Sequence, residues 1–101
     1  MLKPVPRPRT THELKTWPEF FKQTRSGRKK FELRRNDRDF KVGDELLLKE
    51  WDPELELGEE GYTCRELLVR VDYILTSHLT AGFGKQNPLP HDYVILSVSL
   101  V

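Results

Sequence analysis

The chain is poor in the residues that staple or metallate small domains. It has one cysteine, Cys64, so no intramolecular disulfide can form. Its three histidines, His12, His78 and His91, are scattered and give no spacing for a structural zinc. Long apolar runs are missing as well. No stretch approaches a membrane span, and the first residues lack the apolar core of a secretory signal. These absences set the expectation of a soluble protein of the reducing cytoplasm, with no metal, no cofactor and no membrane partner.

What the chain does have is charge. Of 101 residues 33% are Asp, Glu, Lys or Arg, yet the formal net charge is only +1. Its distribution is more informative. From residue 22 to 35, Lys22, Arg25, Arg28, Lys29, Lys30, Arg34 and Arg35 stand against Glu32 alone, whereas from 50 to 60 the charges are Glu50, Asp52, Glu54, Glu56, Glu59 and Glu60. Such a polar molecule presents a basic face suited to phosphates and an acidic loop that repels them. The plain alternative is mutual neutralisation in surface ion pairs worth about 0 to 1 kcal/mol each.

Residues 1–11, with Pro4, Pro6 and Pro8 among Lys3, Arg7 and Arg9, read as an extended basic tail, and residues 12–101 as a single domain. His12 to Leu14 can form a short strand. Thr16-Trp17-Pro18-Glu19 then reads as a capping box, followed by an apolar helical stripe of Trp17, Phe20, Phe21 and Thr24 expected to enter the core. Gly27 is the natural stop. Beyond it the period changes to two, and a strand is expected to bury Phe31 and Leu33 while presenting Lys30, Glu32 and Arg34 together. Lys29 has the other parity and must reach that face from the turn.

Gly43-Asp44 launches the next strand, in which Leu46 and Leu48 alternate with Leu47 and Lys49 up to Trp51. Residues 52–63 form an acidic loop. The longest strand follows, with Leu67, Val69, Val71, Tyr73 and Leu75 on one face. Residues 77–92 read as a long loop with a short helical turn, and Tyr93 to Leu100 as a last strand with Val94, Leu96, Val98 and Leu100 inward. One main N-terminal helix and about five strands define an α+β domain built on a partly closed β-barrel.

Gly27-x-Lys29-x-x-Glu32-x-Arg34 resembles the Gly-x-Lys-x-x-Glu-x-Arg signature of ASCH domains, members of the PUA-like superfamily. His12-Glu13-Leu14-Lys15, Arg35-Asn36-Asp37-Arg38 and Phe40-x-Val42-Gly43-Asp44 narrow the resemblance to a small bacterial and phage ASCH-like family. The resemblance covers about residues 12 to 101. It implies a pseudo-barrel with a cleft beside the first helix that holds RNA or a nucleotide-sized ligand.

On that basis an RNA- or nucleotide-binding module is expected, with Arg28, Lys29 and Arg34 on phosphate, Glu32 organising those cations, and Trp51, Trp17 or Tyr62 stacking a base. The resemblance also implies an enzymatic alternative: small amidohydrolases acting on acylated pyrimidine nucleosides. Here Lys29 and Glu32 would serve with Glu66 or Asp72, although that branch carries threonine where this chain has Glu32. A ribonuclease using His78 and His91 is a further alternative. Cys64 lacks a paired histidine or positive helix terminus and reads as unreactive.

Overall fold

A computed structural model describes residues 9–55 and 61–101. Most of the basic tail (residues 1–8) and the middle of the acidic loop (residues 56–60) lie outside the described residues. The elements in order are β1 (Thr11–Thr16), α1 (Pro18–Arg25), β2 (Phe31–Arg35), β3 (Glu45–Trp51), β4 (Tyr62–Thr76), a 3-10 turn (Ala81–Gln86) and β5 (Tyr93–Leu100). They form a five-stranded sheet in the order β1-β3-β4-β5-β2, curled into a half-barrel with one helix. β1 runs parallel to β3, and the other pairs are antiparallel.

Alternation in the central strands places the core. Leu46, Leu48, Val69, Val71, Val94, Leu96 and Val98 are buried on one face, joined by Leu14 and Phe40. Asp44 is fully buried at the head of β3 and accepts hydrogen bonds from the amides of Thr10 (3.4 Å) and Lys41 (3.0 Å). His12 Nε2 meets the same carboxylate at 2.9 Å, so Asp44 ties β1 to the turn. Gly43 has φ +93, the positive value expected of that turn.

Several expectations are overturned, each by tertiary pairing. β2 has the opposite orientation to that anticipated: Glu32 is 2% exposed, whereas Phe31 and Leu33 are 50% and 56% exposed. The register explains it. Glu32 pairs with Leu96 and Arg34 with Val94, whose side chains point into the core, and directly opposed residues share a face.

The helix starts one residue later than the capping box requires. Trp17 is the N-cap and makes no side-chain cap hydrogen bond. Thr16 is instead held as the last residue of β1, paired to Glu50, and Glu19 accepts from Gln23 Nε2 at 3.2 Å. Of the apolar stripe only Phe21 and Thr24 are buried; Trp17 and Phe20 are more than half exposed.

In β4 the face changes midway. Val71 pairs with Val98 but Tyr73 pairs with Ser97, so Asp72 is an extra, bulged residue. Beyond it Tyr73 is exposed and Ile74 packs against the core. Leu100, expected inward, is half exposed because β2 ends before it and leaves the end of β5 uncovered.

Candidate functional site

Gly27 builds the site by ending α1 at φ +81. Its amide and those of Arg28 and Lys29 turn back to the carbonyls of Thr24 and Gln23 at 3.0 Å, which sets Lys29 immediately ahead of β2. From there Lys29 Nζ donates to the Phe31 carbonyl at 2.6 Å and to the Glu32 carboxylate. The turn thus delivers Lys29 to Glu32 in spite of its parity.

Arg34 takes the other carboxylate oxygen, donating to Glu32 Oε1 from Nε at 3.2 Å and from a terminal nitrogen at 2.9 Å. The same terminal nitrogen donates to the Lys15 carbonyl at 3.0 Å and lies 3.3 Å from Thr16 Oγ1. Lys15 and Thr16 belong to β1, the opposite edge of the sheet. A side chain on one edge strand can reach the other only because the sheet is curled, and Arg34 spans the remaining gap.

The backbone pattern explains why those carbonyls are available. Val98 N donates to Lys30 O at 2.9 Å, so even-numbered residues of β2 face β5 and the Phe31 carbonyl points to the open edge. Glu45 N donates to Thr10 O at 2.9 Å, so even-numbered residues of β1 face β3 and the Lys15 carbonyl points to the open edge. Lys29 and Arg34 satisfy these acceptors of the two unpaired edges.

Lys15 and Arg34 separate two compartments of one cleft, since both line each side. The first, about 370 Å3, is walled by Trp17, Phe20, Phe31 and Leu33 with Glu32 at its floor. The second, about 490 Å3, is rimmed by the cations Lys15, Arg34, Arg35, Arg38 and Lys49 against Glu13 and Asp37. Its aromatic lining is the largely buried Phe40 and Tyr62, with Lys49 Nζ 5.1 Å and Lys15 Nζ 5.8 Å from the Tyr62 ring centroid. Lys15 Nζ also lies 4.7 Å over Trp51, which meets Trp17 edge-on at 5.8 Å. Arg35 donates to the Tyr93 hydroxyl at 3.5 Å, a bond that raises the guanidinium pKa further.

Lys29, Glu32 and Arg34 are therefore gathered together, whereas Trp51 lines neither compartment and borders the cleft through its contacts with Lys15 and Trp17. Arg28 is exposed and lines neither compartment. Lys30, expected beside Glu32, is exposed on the other side of the turn. Glu66 is exposed opposite Lys49 and lines a separate hollow with Arg25 and Arg65. Asp72 shares a third cavity with Lys29 but not with Glu32 or Arg34. His78 and His91 are exposed and line neither compartment of the cleft.

Sequence reasoning missed Lys15, Lys49, Arg35 and Arg38 as cleft residues. The only local signal was strand parity for Lys15 and Lys49; pairing of β1, β3 and β4 brings them to Tyr62. Among the described residues no group of His, Cys, Asp or Glu is placed to hold a metal ion, and no helix is long and apolar enough to cross a membrane.

The fold and cleft define a small α+β half-barrel domain with a basic, aromatic-walled opening between its edge strands. A family model described as a domain of unknown function, DUF3850, matches residues 11–98, and the chain belongs to that family. No curated protein matches the chain.

Proposed function

We propose that this chain is a PUA-like domain of ASCH type that binds single-stranded RNA or a nucleotide in the cleft between β1 and β2. The observation that carries this reading is the buried Glu32 holding Lys29 and Arg34 where an aromatic compartment meets a cationic one. A nucleotide has the matching division, a flat base beside charged phosphate. Trp17 and Phe20 offer the base exposed aromatic surface, and stacking of this kind is worth about 1 to 3 kcal/mol per base. Lys15, Arg35, Arg38 and Lys49 take the phosphates, and Glu32 works as the internal anchor of the cations rather than as a ligand to phosphate.

Anisotropy titration of a labelled single-stranded RNA tests this. If the four rim cations each meet a phosphate, log K falls against log salt with a slope of about −3, at roughly −0.7 per contact. Lys15→Ala and Arg38→Ala weaken binding, and a flat salt response refutes the reading. Incubation with acylcytidine and with labelled RNA distinguishes hydrolysis and cleavage from binding alone. Turnover abolished in Lys29→Ala would replace the binding module with an enzyme.

A further inference from the structure

We infer that the outward face of β2, β5 and β4 is an interaction surface whose occupant is a second copy of this chain. The inference stands independently of what the cleft binds.

Strand register assembles this face. Directly opposed residues share one side of a sheet, so the three strands present outward the rows Phe31-Ser97-Tyr73 and Leu33-Ile95-Leu75, followed by Arg35 beside Tyr93. The alternate residues of β5, Val94, Leu96 and Val98, fill the core. Only Arg35 brings charge to these rows. Across β1 and β3, by contrast, every outward row carries charge: Glu45 and Arg70 in one, Glu13 in the next, then Lys15, Lys49 and Glu66. The outer side of the sheet is therefore charged over one half and apolar over the other.

The apolar half lies open. α1 packs against β3, and Phe31, Leu33 and Tyr73 are 50%, 56% and 56% exposed. An aromatic side chain has about 150 to 250 Å2 to bury, so these three with the half-buried Ile95, Leu75 and Tyr93 expose on the order of 400 to 500 Å2 of apolar surface. Monomeric soluble proteins seldom leave a larger patch to water. One side of a standard interface is about 800 Å2, and in homodimers about 65% of it is apolar, which is roughly the area present here.

Shape favours a second copy over an unrelated partner. At one end of the face Phe31 and Tyr73 stand as two aromatic knobs with the small Ser97 between them. At the other end an apolar groove of about 460 Å3 runs between Leu75, Tyr93 and Ile95 and the loop residues Thr80, Pro88 and Pro90. A two-fold axis lying across the strands along the Leu33-Ile95-Leu75 row sets the knobs of each copy against the grooved end of the other. That reciprocity is what an isologous interface requires. The same operation brings Arg35, which lies 5.5 Å over the Tyr93 ring, to Phe31 of the second copy, where a guanidinium stacks well on an aromatic face. It also lays β2 over β2, so the two clefts open side by side.

Sedimentation equilibrium of the full chain tests this. The mass is expected to rise from 11.9 kDa towards twice that value between about 1 μM and 1 mM. Tyr73→Lys and Ser97→Lys each place an ammonium in the apolar interface and are expected to weaken the dimer at least about tenfold. Circular dichroism checks that each variant keeps its fold. Dilution of the isotopically labelled wild type, which needs no substitution, is expected to shift the amides of Leu33, Tyr73 and Ile95 and to leave those of Glu13 and Glu66 unmoved. A monomer at every concentration overturns the inference, and wild-type monomer binding to phosphatidylcholine vesicles would assign the face to lipid instead. A dimer unweakened by both folded variants, or dilution shifts confined to β1 and β3, overturns it as well.

Discussion

Replacing Glu32 by glutamine perturbs the centre of the cleft most directly. The Glu32 side chain is 3% exposed, whereas Lys29 and Arg34 retain 15% and 26%. The carboxylate accepts from Lys29 Nζ and twice from Arg34. Glutamine keeps the volume and one acceptor but turns an amide donor towards one of the two cations. A hydrogen bond to a charged group contributes about 1.5 to 3 kcal/mol, and breaking a fully buried ion pair costs about 3 to 5 kcal/mol. Because both cations can still turn partly to water, the cost here is expected at the lower end, about 2 to 4 kcal/mol.

For a domain of this size that corresponds to a fall in Tm of about 10 to 25 °C. Urea unfolding reads it as a lower midpoint with an unchanged m-value. A double-mutant cycle with Arg34→Gln isolates the pair, for which a coupling of at least about 1 kcal/mol is expected. A Glu32→Gln variant within about 0.5 kcal/mol of the wild type, or a coupling near zero, would mean that Glu32 does not organise the cleft.

Gly61 has φ +98, and an added Cβ would lie 2.6 Å from the Asp52 carbonyl oxygen and 2.9 Å from Trp51 Nε1. Gly61→Ala is therefore expected to destabilise the domain by at least about 1 to 2 kcal/mol and to displace the Trp51 indole, read by thermal melting and tryptophan emission. Gly27→Ala, at φ +81 in open space, carries only the conformational penalty of about 1 to 2 kcal/mol, measured by urea unfolding. Asp44→Ala leaves the Thr10 and Lys41 amides and His12 without their acceptor, and a loss of about 2 to 4 kcal/mol is expected in the same assay. Lys15→Ala is expected to leave stability nearly unchanged while raising the RNA dissociation constant several-fold, because the Lys15 main-chain carbonyl, which Arg34 needs, is retained.

Much of the scaffold was legible along the chain. Leu46 and Leu48, Val69 and Val71, and Val94, Leu96 and Val98 are buried where simple alternation placed them. Gly27 ends the helix and Asp44 binds nearby amides, since both roles depend on backbone conformations and side-chain reach that span only a few residues. The concentration of Lys29, Glu32 and Arg34 could be recognised for the same reason. Only a turn of the backbone separates them.

What tertiary structure alone decided is which way each pattern faces. A period of two shows that Glu32 and Arg34 share one face and Phe31 and Leu33 the other, but the register of β2 on β5 chooses the inward one. The helical stripe likewise groups Trp17, Phe20 and Phe21, while only the position of α1 against the sheet leaves Trp17 and Phe20 to the cleft. The bulge at Asp72 and the reach of Arg34 to β1 depend on partners distant in the chain. Local sequence determines which residues act together; pairing between distant segments determines what they meet, because inside and outside exist only once the sheet has curled.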